Sequence, residues 1–257
     1  MTPIKARQQT DNECPPGIRE DIDVTFFIPC LNEELRVTQT LDTLTEAMRG
    51  FELTYEAIVI DDGSTDNTSK VVEAYKVAHP DVPLRLHRNE ANLGLARCFV
   101  DTSFVGRGIY YRLICGDNIE PKESMAAVIL QLGKADIIIP YYPQVPGKGP
   151  VRLAISNGFT WLVNLVSGHK LRYYNGNPLY RRYDVMRWAP HNFGFGYQAD
   201  LLTQLLDLNA TFIEIPINGI HRAKDRASTL KVRNLLSVAH SLLEIVIRRM
   251  RRIVFQR

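Results

Sequence analysis

The stretch DVTFFIPCLNEE, residues 23–34, decides the fold: an apolar, β-branched and aromatic run that stops at a proline and opens into polar residues. Seven residues of this kind read as a buried strand, and Pro29 ends it because proline cannot donate to a central ladder. A helical stretch follows from Glu33 to Met48, with Leu35, Val37, Leu41, Leu44 and Met48 spaced for one buried face. The same alternation then repeats. YEAIVID (55–61) is a second strand, and Ser64-Thr65-Asp66 supply side-chain oxygens to cap the next helix. Leu84–His87 reads as a third strand, Leu95–Val105 as a helix, Ile109–Ile114 as a fourth strand and Ala135–Pro140 as a fifth. Strands alternating with helices predict an α/β fold built on a mostly parallel sheet flanked by helices.

Beyond Tyr141 the pattern is less regular. GKGPVR (147–152) is a breaker-rich loop before an amphipathic helix, Leu153–Ser167, and YYNGNPLYRR (173–182) is turn-rich with a short strand at its end. Tyr197–Leu208 is helical and ATFIEIPI (210–217) is a strand. The expected organisation is a flexible leader over 1–22, one domain over 23–232 divided into halves at 121/122, and a basic amphipathic tail over 233–257.

The chain has 257 residues, 45% hydrophobic and 23% charged, an ordinary globular balance rather than a disordered or fibrous one. Cys14, Cys30, Cys98 and Cys115 form neither a zinc pattern nor a disulfide framework, which fits a reducing, cytosolic compartment. The leader lacks the apolar region of a signal peptide. The longest apolar stretch, Leu235–Ile247, has 13 residues and carries His240 and Glu244, whereas a spanning helix needs about 20. The net charge of +3 conceals an asymmetry, because ten Lys/Arg and two Asp/Glu stand between Arg222 and Arg257. In that tail Leu235, Leu236, Ala239, Leu242, Leu243 and Val246 have helical spacing, followed by Arg248, Arg249, Arg251 and Arg252. Such a helix lies in the plane of a membrane surface, which is the favoured reading, or docks on the body or on a second subunit. Aromatics are not interleaved with these charges, so nucleic acid is not an expected partner.

The signatures of P-loop nucleotide hydrolysis, dinucleotide binding, zinc proteolysis and serine hydrolysis are all absent. Present instead are three polar turns at predicted strand ends: PCLNEE (29–34), DDGSTDNT (61–68) and CGDNIEP (115–121). Open α/β sheets bind ligands at such ends. Taken singly, each is also an ordinary turn or helix cap.

The segments FFIPCLNEE (26–34), AIVIDDGSTDNT (57–68), NEANLGLARCF (89–99) and LICGDNIEP (113–121), in this order, resemble the N-terminal half of the inverting glycosyltransferases of glycosyltransferase family 2. That resemblance implies the GT-A fold, with an irregular acceptor-side half and, here, a C-terminal amphipathic helix. GYQAD (196–200) is similar to the family's acceptor-side acid segment, and IEIPI with HRAKDRAST (213–217, 221–229) to the stretch after the last strand in polyprenyl-phosphate glycosyltransferases. It implies a UDP- or GDP-sugar donor, with Pro29, Leu31, Glu33, Asp61 and Asp62 shaping the base and ribose pocket and Gly116 beside it. Asn92, Gly94 and Arg97 would lie near the donor. Asp117 corresponds to the last acid of the family's Asp-x-Asp motif, which holds Mg²⁺ or Mn²⁺ on the diphosphate, and His221 to a second ligand. The first acid of that motif is Cys115 here, a departure that leaves Asn118 or Glu120 as neighbouring oxygen donors. Arg222, Arg226, Ser228 and Lys231 would clamp phosphates. Asp200 would be the general base for a hydroxyl acceptor, whereas a phosphate acceptor arrives anionic and needs none. The implied activity is sugar transfer to a membrane-associated acceptor, polyprenyl phosphate or a surface-glycan hydroxyl, by a protein peripheral on the cytoplasmic face. A non-catalytic nucleotide-sugar-binding scaffold is the reading of another class.

Overall fold

The structure is a computed structural model that describes residues 21–143, 150–188, 190, 194, 196–220 and 232–255. Residues 1–20 of the expected leader, residues 147–149 of the GKGPVR loop and His221, Arg222, Arg226, Ser228 and Lys231 lie outside the described residues, while Ile22, expected in the leader, opens the first strand.

Seven strands form one sheet: β1 (Ile22–Cys30), β2 (Tyr55–Asp61), β3 (Leu84–Arg88), β4 (Gly108–Leu113), β5 (Ile137–Tyr141), β6 (Leu179–Arg181) and β7 (Phe212–Pro216). Between and after them run α1 (Val37–Met48), α2 (Thr68–Ala78), α3 (Leu95–Val105), α4 (Lys122–Ile129), α5 (Pro150–Ser167), α6 (Arg182–Met186), α7 (Tyr197–Asp207) and α8 (Val232–Phe255). The strand order is β3-β2-β1-β4-β6-β5-β7, parallel except at β6, which runs antiparallel to both β4 and β5. The chain winds outward from β1 to β2 and β3, then returns to place β4 on the other side of β1. The strand order therefore reverses between β1 and β4, and a crevice opens at their carboxyl ends.

Burial on both faces explains why β1 is a continuous apolar run rather than an alternating one. Val24, Phe26, Ile28 and Cys30 pack towards Val37, Leu41 and Leu44 of α1, while Phe27 enters the opposite layer with Phe99 of α3, Tyr111, and Leu201 and Leu202 of α7. The second layer also takes in Ile245, so α8 shares the core of the domain and packs on α5 and α7.

The expected elements recur with shifted ends. Helix α1 begins at Val37 rather than Glu33, because residues 32–34 are drawn into a neighbouring turn. The cap foreseen for α2 is also different. Asn67 occupies the cap position without a side-chain bond, Asp66 Oδ1 accepts from the Thr68 amide, and Ser64 and Thr65 turn to Asn32 instead. Helices α4 and α6 carried no expectation.

Candidate active site at the β1–β4 crevice

The PCLNEE and DDGSTDNT turns are joined to each other bond by bond. Asp62 N donates to Cys30 O, Asn32 N to Ser64 Oγ, Glu33 N to Thr68 Oγ1 and Glu34 N to Asp66 Oδ2, at 2.9–3.2 Å. In return Asn32 Oδ1 accepts from Thr65 N and Glu34 Oε2 from Asn67 N, both at 2.9 Å. Asn32 makes this exchange from the left-handed region, at φ 59°. Leu31 (46% exposed) stays at the surface, as a pocket wall requires, with Pro29 half-buried beside it. Glu33 is half-buried and pairs with Arg36 at 3.7 Å.

Asp61 and Asp62, expected to shape the base and ribose pocket, are held by the protein's own hydrogen bonds. They are 1% and 6% exposed, and the protein itself engages their oxygens. Asp61 accepts from Ser64 N (2.8 Å) and from the Ser69 hydroxyl, with Arg88 Nε at 3.8 Å. Asp62 accepts from Asn89 Nδ2 (2.8 Å), Leu93 N (2.9 Å) and Gly94 N (2.9 Å). Burial alone would raise the Asp62 carboxyl, but the bonds from Leu93, Asn89 and Gly94 outweigh it and hold the group below the usual carboxylate range. These two acids shape the crevice by folding its walls. Gly94, at φ 91°, starts α3 on the segment that Asp62 holds, with Asn92 exposed two residues earlier. Arg97 lies on the exposed surface of α3 and pairs with Asp101 at 2.7 Å.

The CGDNIEP turn meets the end of β1. Gly116 N donates to Pro29 O (3.3 Å), Thr40 Oγ1 donates to Gly116 O (2.9 Å), and a Cβ on Gly116 would stand 2.6 Å from Cys30 Sγ and 2.8 Å from Pro29 O. A glycine is required because backbone approaches backbone here. Asp117 and Asn118 follow, half-buried, Asn118 in the left-handed region at φ 54°. Glu120, foreseen as a neighbouring oxygen donor, is instead 3% exposed and accepts from Arg112 Nη2 at 2.6 Å. Arg112 is itself fully buried on β4, and its Nε donates to Asn177 O at 3.3 Å. Desolvation, reinforced by the charge of Asp117, pushes the Cys115 thiol up to about 12, so at neutral pH Cys115 is a thiol and not a thiolate ligand.

Two amides absent from the sequence reading complete this side. Asn177 Nδ2 donates to Cys115 Sγ at 3.5 Å, and Gln198 Nε2 donates to Asn177 Oδ1 at 3.1 Å and to the Tyr197 hydroxyl at 3.1 Å. The signal for Gln198 lay in GYQAD, where the residue two before the acid projects from a different side of the helix. Asp200, expected as a base, faces α8. It is 7% exposed, with Oδ1 accepting from Arg248 Nη1 (2.7 Å) and Oδ2 from Trp188 Nε1 (3.2 Å). Arg248 also donates to Asp207 Oδ2 (3.1 Å), Arg252 pairs with Asp207, and Arg249 Nη1 donates to Leu165 O (2.7 Å) and Val166 O (3.0 Å). Three of the tail arginines thus dock the helix on the body.

Among the described residues no group of three or more His, Cys, Asp or Glu stands together as a cation site. What the turn offers is the carboxylate of Asp117 and the amide oxygen of Asn118. Mg²⁺ and Mn²⁺ are bound in this way when substrate phosphates complete the shell, so the residues fit such an ion in company with a diphosphate.

Comparison with known proteins agrees with this geometry. Residues 25–100 match the family model Glycosyl transferase family 2. A dolichyl-phosphate beta-glucosyltransferase of Trichomonas vaginalis is 24% identical over 249 residues, covering 88% of this chain and 72% of that one. A dolichyl-phosphate beta-glucosyltransferase of Dictyostelium discoideum is 28% identical over 104 residues, 38% of this chain and 32% of the relative. Among solved structures, glucosyl-3-phosphoglycerate synthase from Mycobacterium tuberculosis in complex with uridine diphosphate superposes with a TM-score of 0.64 at 19% identity, over 88% of this chain and 80% of that one. The same synthase with Mn²⁺, uridine diphosphate and glucosyl-3-phosphoglycerate gives 0.60 at 18% identity, over 89% and 80%. Residues 25–100 of this chain are therefore similar to the glycosyl transferase family 2 domain, and the sheet is that of the GT-A fold.

Proposed function

We propose that the protein is a glycosyltransferase that moves a sugar from a nucleotide-sugar donor to polyprenyl phosphate at a membrane surface. The observation that carries this reading is the meeting of three polar turns at the ends of β1, β2 and β4, where the strand order reverses: PCLNEE is bonded to DDGSTDNT and, through Pro29 O, to Gly116 beside Asp117. The dolichyl-phosphate glucosyltransferase of Trichomonas vaginalis, similar along 88% of the chain, supports the acceptor class, and the uridine diphosphate and Mn²⁺ of the mycobacterial synthase support the donor and the cation.

In this reading the nucleoside lies over the ends of β1 and β2, against Pro29 and Leu31, while Asp61 and Asp62 keep the walls in shape and Arg97 stands at the rim. Asp117 would hold Mg²⁺ or Mn²⁺, with His221 as a second ligand, and Arg222, Ser228 and Lys231 would take the phosphates. The bound ion supplies Lewis-acid neutralisation of the leaving nucleoside diphosphate. A phosphate acceptor brings its own negative oxygen to the anomeric carbon from the opposite side, with inversion, and no side chain has to remove a proton. Transfer to a saccharide hydroxyl would need a base, and Asp200 would first have to leave Arg248 and Trp188.

Helix α8 gives the protein a surface for lipid. Leu236, Leu243, Met250, Ile253 and Val254 are exposed on it, next to Arg251. No helix among the described residues is long and apolar enough to cross a membrane. An apolar stripe with flanking cations suits the boundary of an anionic leaflet, on the cytoplasmic side where nucleotide-sugars are available.

The test is transfer of labelled sugar from UDP-glucose or GDP-mannose to polyprenyl phosphate in vesicles with MnCl₂. Label entering the organic phase is expected. Label passing only to saccharide hydroxyls would favour the rival acceptor, and nucleotide binding without any turnover would leave the scaffold.

A further inference from the structure

Two departures from ordinary structure meet between the 115–121 turn and the start of β6. Asn177, two residues before β6, adopts the left-handed region at φ 51°, which costs free energy for a residue with a Cβ. Gln198, in the first turn of α7, is only 7% exposed, and its Oε1 has no hydrogen-bond partner among the described residues. Its Nε2 is used twice, on Asn177 Oδ1 and on the Tyr197 hydroxyl, both at 3.1 Å. Buried amide oxygens in native proteins nearly always have a donor, so one left open beside a candidate site points to a group that arrives from outside. The amide is also held in place. Asn177 Nδ2 donates to Cys115 Sγ at 3.5 Å, and the fully buried Arg112 on β4 donates through Nε to Asn177 O at 3.3 Å. The left-handed asparagine therefore serves to fix one unpaired oxygen next to the turn that carries Asp117.

The chemistry of that oxygen limits what it can take. It accepts hydrogen bonds and donates none, so it has nothing to offer an ionised phosphate. The strand order β2-β1-β4-β6 supplies a direction. With the nucleoside over β1 and β2 and the diphosphate at the turn after β4, the sugar projects towards β6, where Asn177 and Gln198 stand. The hydrogen-bond donors at that end of the ligand are the hydroxyls of the sugar. We propose that Gln198 selects the donor sugar by accepting a hydrogen bond from one of its hydroxyls at Oε1, with Asn177 as the residue that positions the amide. The inference rests on the nucleotide-sugar reading above and adds to it a residue that discriminates between sugars.

The experiment is calorimetric titration of the whole chain, with MnCl₂ and without acceptor, by UDP-glucose, GDP-mannose and the 2-, 3-, 4- and 6-deoxy analogues of each, with UDP and GDP as sugar-free controls. The unaltered chain is expected to bind one deoxy analogue of its preferred donor at least about tenfold more weakly than the full sugar, because the missing hydroxyl leaves Oε1 unpaired. Gln198→Met, of similar length and without polar atoms, should bind the full sugar about tenfold more weakly, that one analogue unchanged, and UDP and GDP unchanged. Gln198→Glu keeps an acceptor at the position and should still disfavour the same analogue, which preserves the test if the methionine variant does not fold. Weakening by an equal factor for the full sugar and every analogue would overturn the inference, since a residue that only supports the turn, or an oxygen filled by a buried water, is blind to which hydroxyl is missing. So would a folded Gln198→Met variant that discriminates as the unaltered chain does, or a folded Gln198→Glu variant that no longer discriminates. Binding of UDP or GDP with all sugars and analogues alike would also overturn it and leave the donor reading standing. If neither UDP nor GDP binds, the donor reading itself fails and takes the inference with it.

Discussion

Gly116 shows how narrowly single residues are fixed at this site. A methyl group there would enter Pro29 O and Cys30 Sγ, and a strand-end carbonyl cannot swing aside as a flexible side chain can. Gly116→Ala is therefore expected to lower the melting temperature and to weaken nucleotide binding. Gly158→Ala, in the exposed middle of α5 with nothing within 4 Å of the new atom, should be neutral or stabilise by about 0.5–1 kcal/mol. Paired thermal melts of the two variants check this. Arg112 supplies a second test at the same scale. It and Glu120 are almost wholly buried, and removing one partner leaves a desolvated charge. Arg112→Met should cost about 3–5 kcal/mol, whereas Arg112→Met with Glu120→Leu should recover most of that loss, because an apolar pair of similar volume replaces a buried ion pair at little net cost. Denaturant unfolding of the single and double variants measures the difference.

At the scale of elements, hydrogen bonds join the turns around the crevice, and the carboxylate among them gives it a pH signature. Asp62 ties β2 to the start of α3 through Leu93 and Gly94, and its carboxyl titrates below its unfolded value of about 3.9. A depressed carboxylate contributes stability that is complete above the unfolded value and is lost as pH falls through the folded one. The gap in melting temperature between the natural chain and Asp62→Asn should be constant from pH 7 to about 5 and close below about 4, and a gap independent of pH would contradict the assignment. Helix α8 is docked by the same means. Arg248 bonds Asp200, Asp207 and Thr203 from a position that is 25% exposed. Arg248→Ala should cost about 2–3 kcal/mol, less than a fully buried pair because solvent reaches the guanidinium. Circular dichroism during denaturant unfolding would detect this loss.

Across the whole molecule, the sequence revealed most where local pattern and tertiary role agree. Strands β1 and β2 are apolar runs because both faces are covered, so Tyr55–Asp61 is legible to the residue and the polar turns stand at the strand ends that the pattern predicts. Strand β6 has three residues and pairs antiparallel with strands from distant parts of the chain, which no local pattern encodes. Helix α7 is buried nearly all round, so periodicity could not tell which of Gln198 and Asp200 faced the crevice and which faced α8. The tail is legible as an amphipathic helix that meets a membrane or docks on the body, but its spacing does not show that Arg248, Arg249 and Arg252 are spent on the body. What remains for a membrane is the outward stripe, and Leu236, Leu243 and Met250 recur every seven residues on one side of α8, opposite the buried Ile245. Leu243→Glu with Met250→Glu alters that stripe without touching the docking arginines. The double variant should keep its melting temperature within about 2 °C, since exposed substitutions cost little. It should nevertheless lose co-sedimentation with anionic vesicles and, with it, transfer to vesicle-borne polyprenyl phosphate, while nucleotide binding in solution is unchanged. Retained sedimentation would show that another surface meets the lipid.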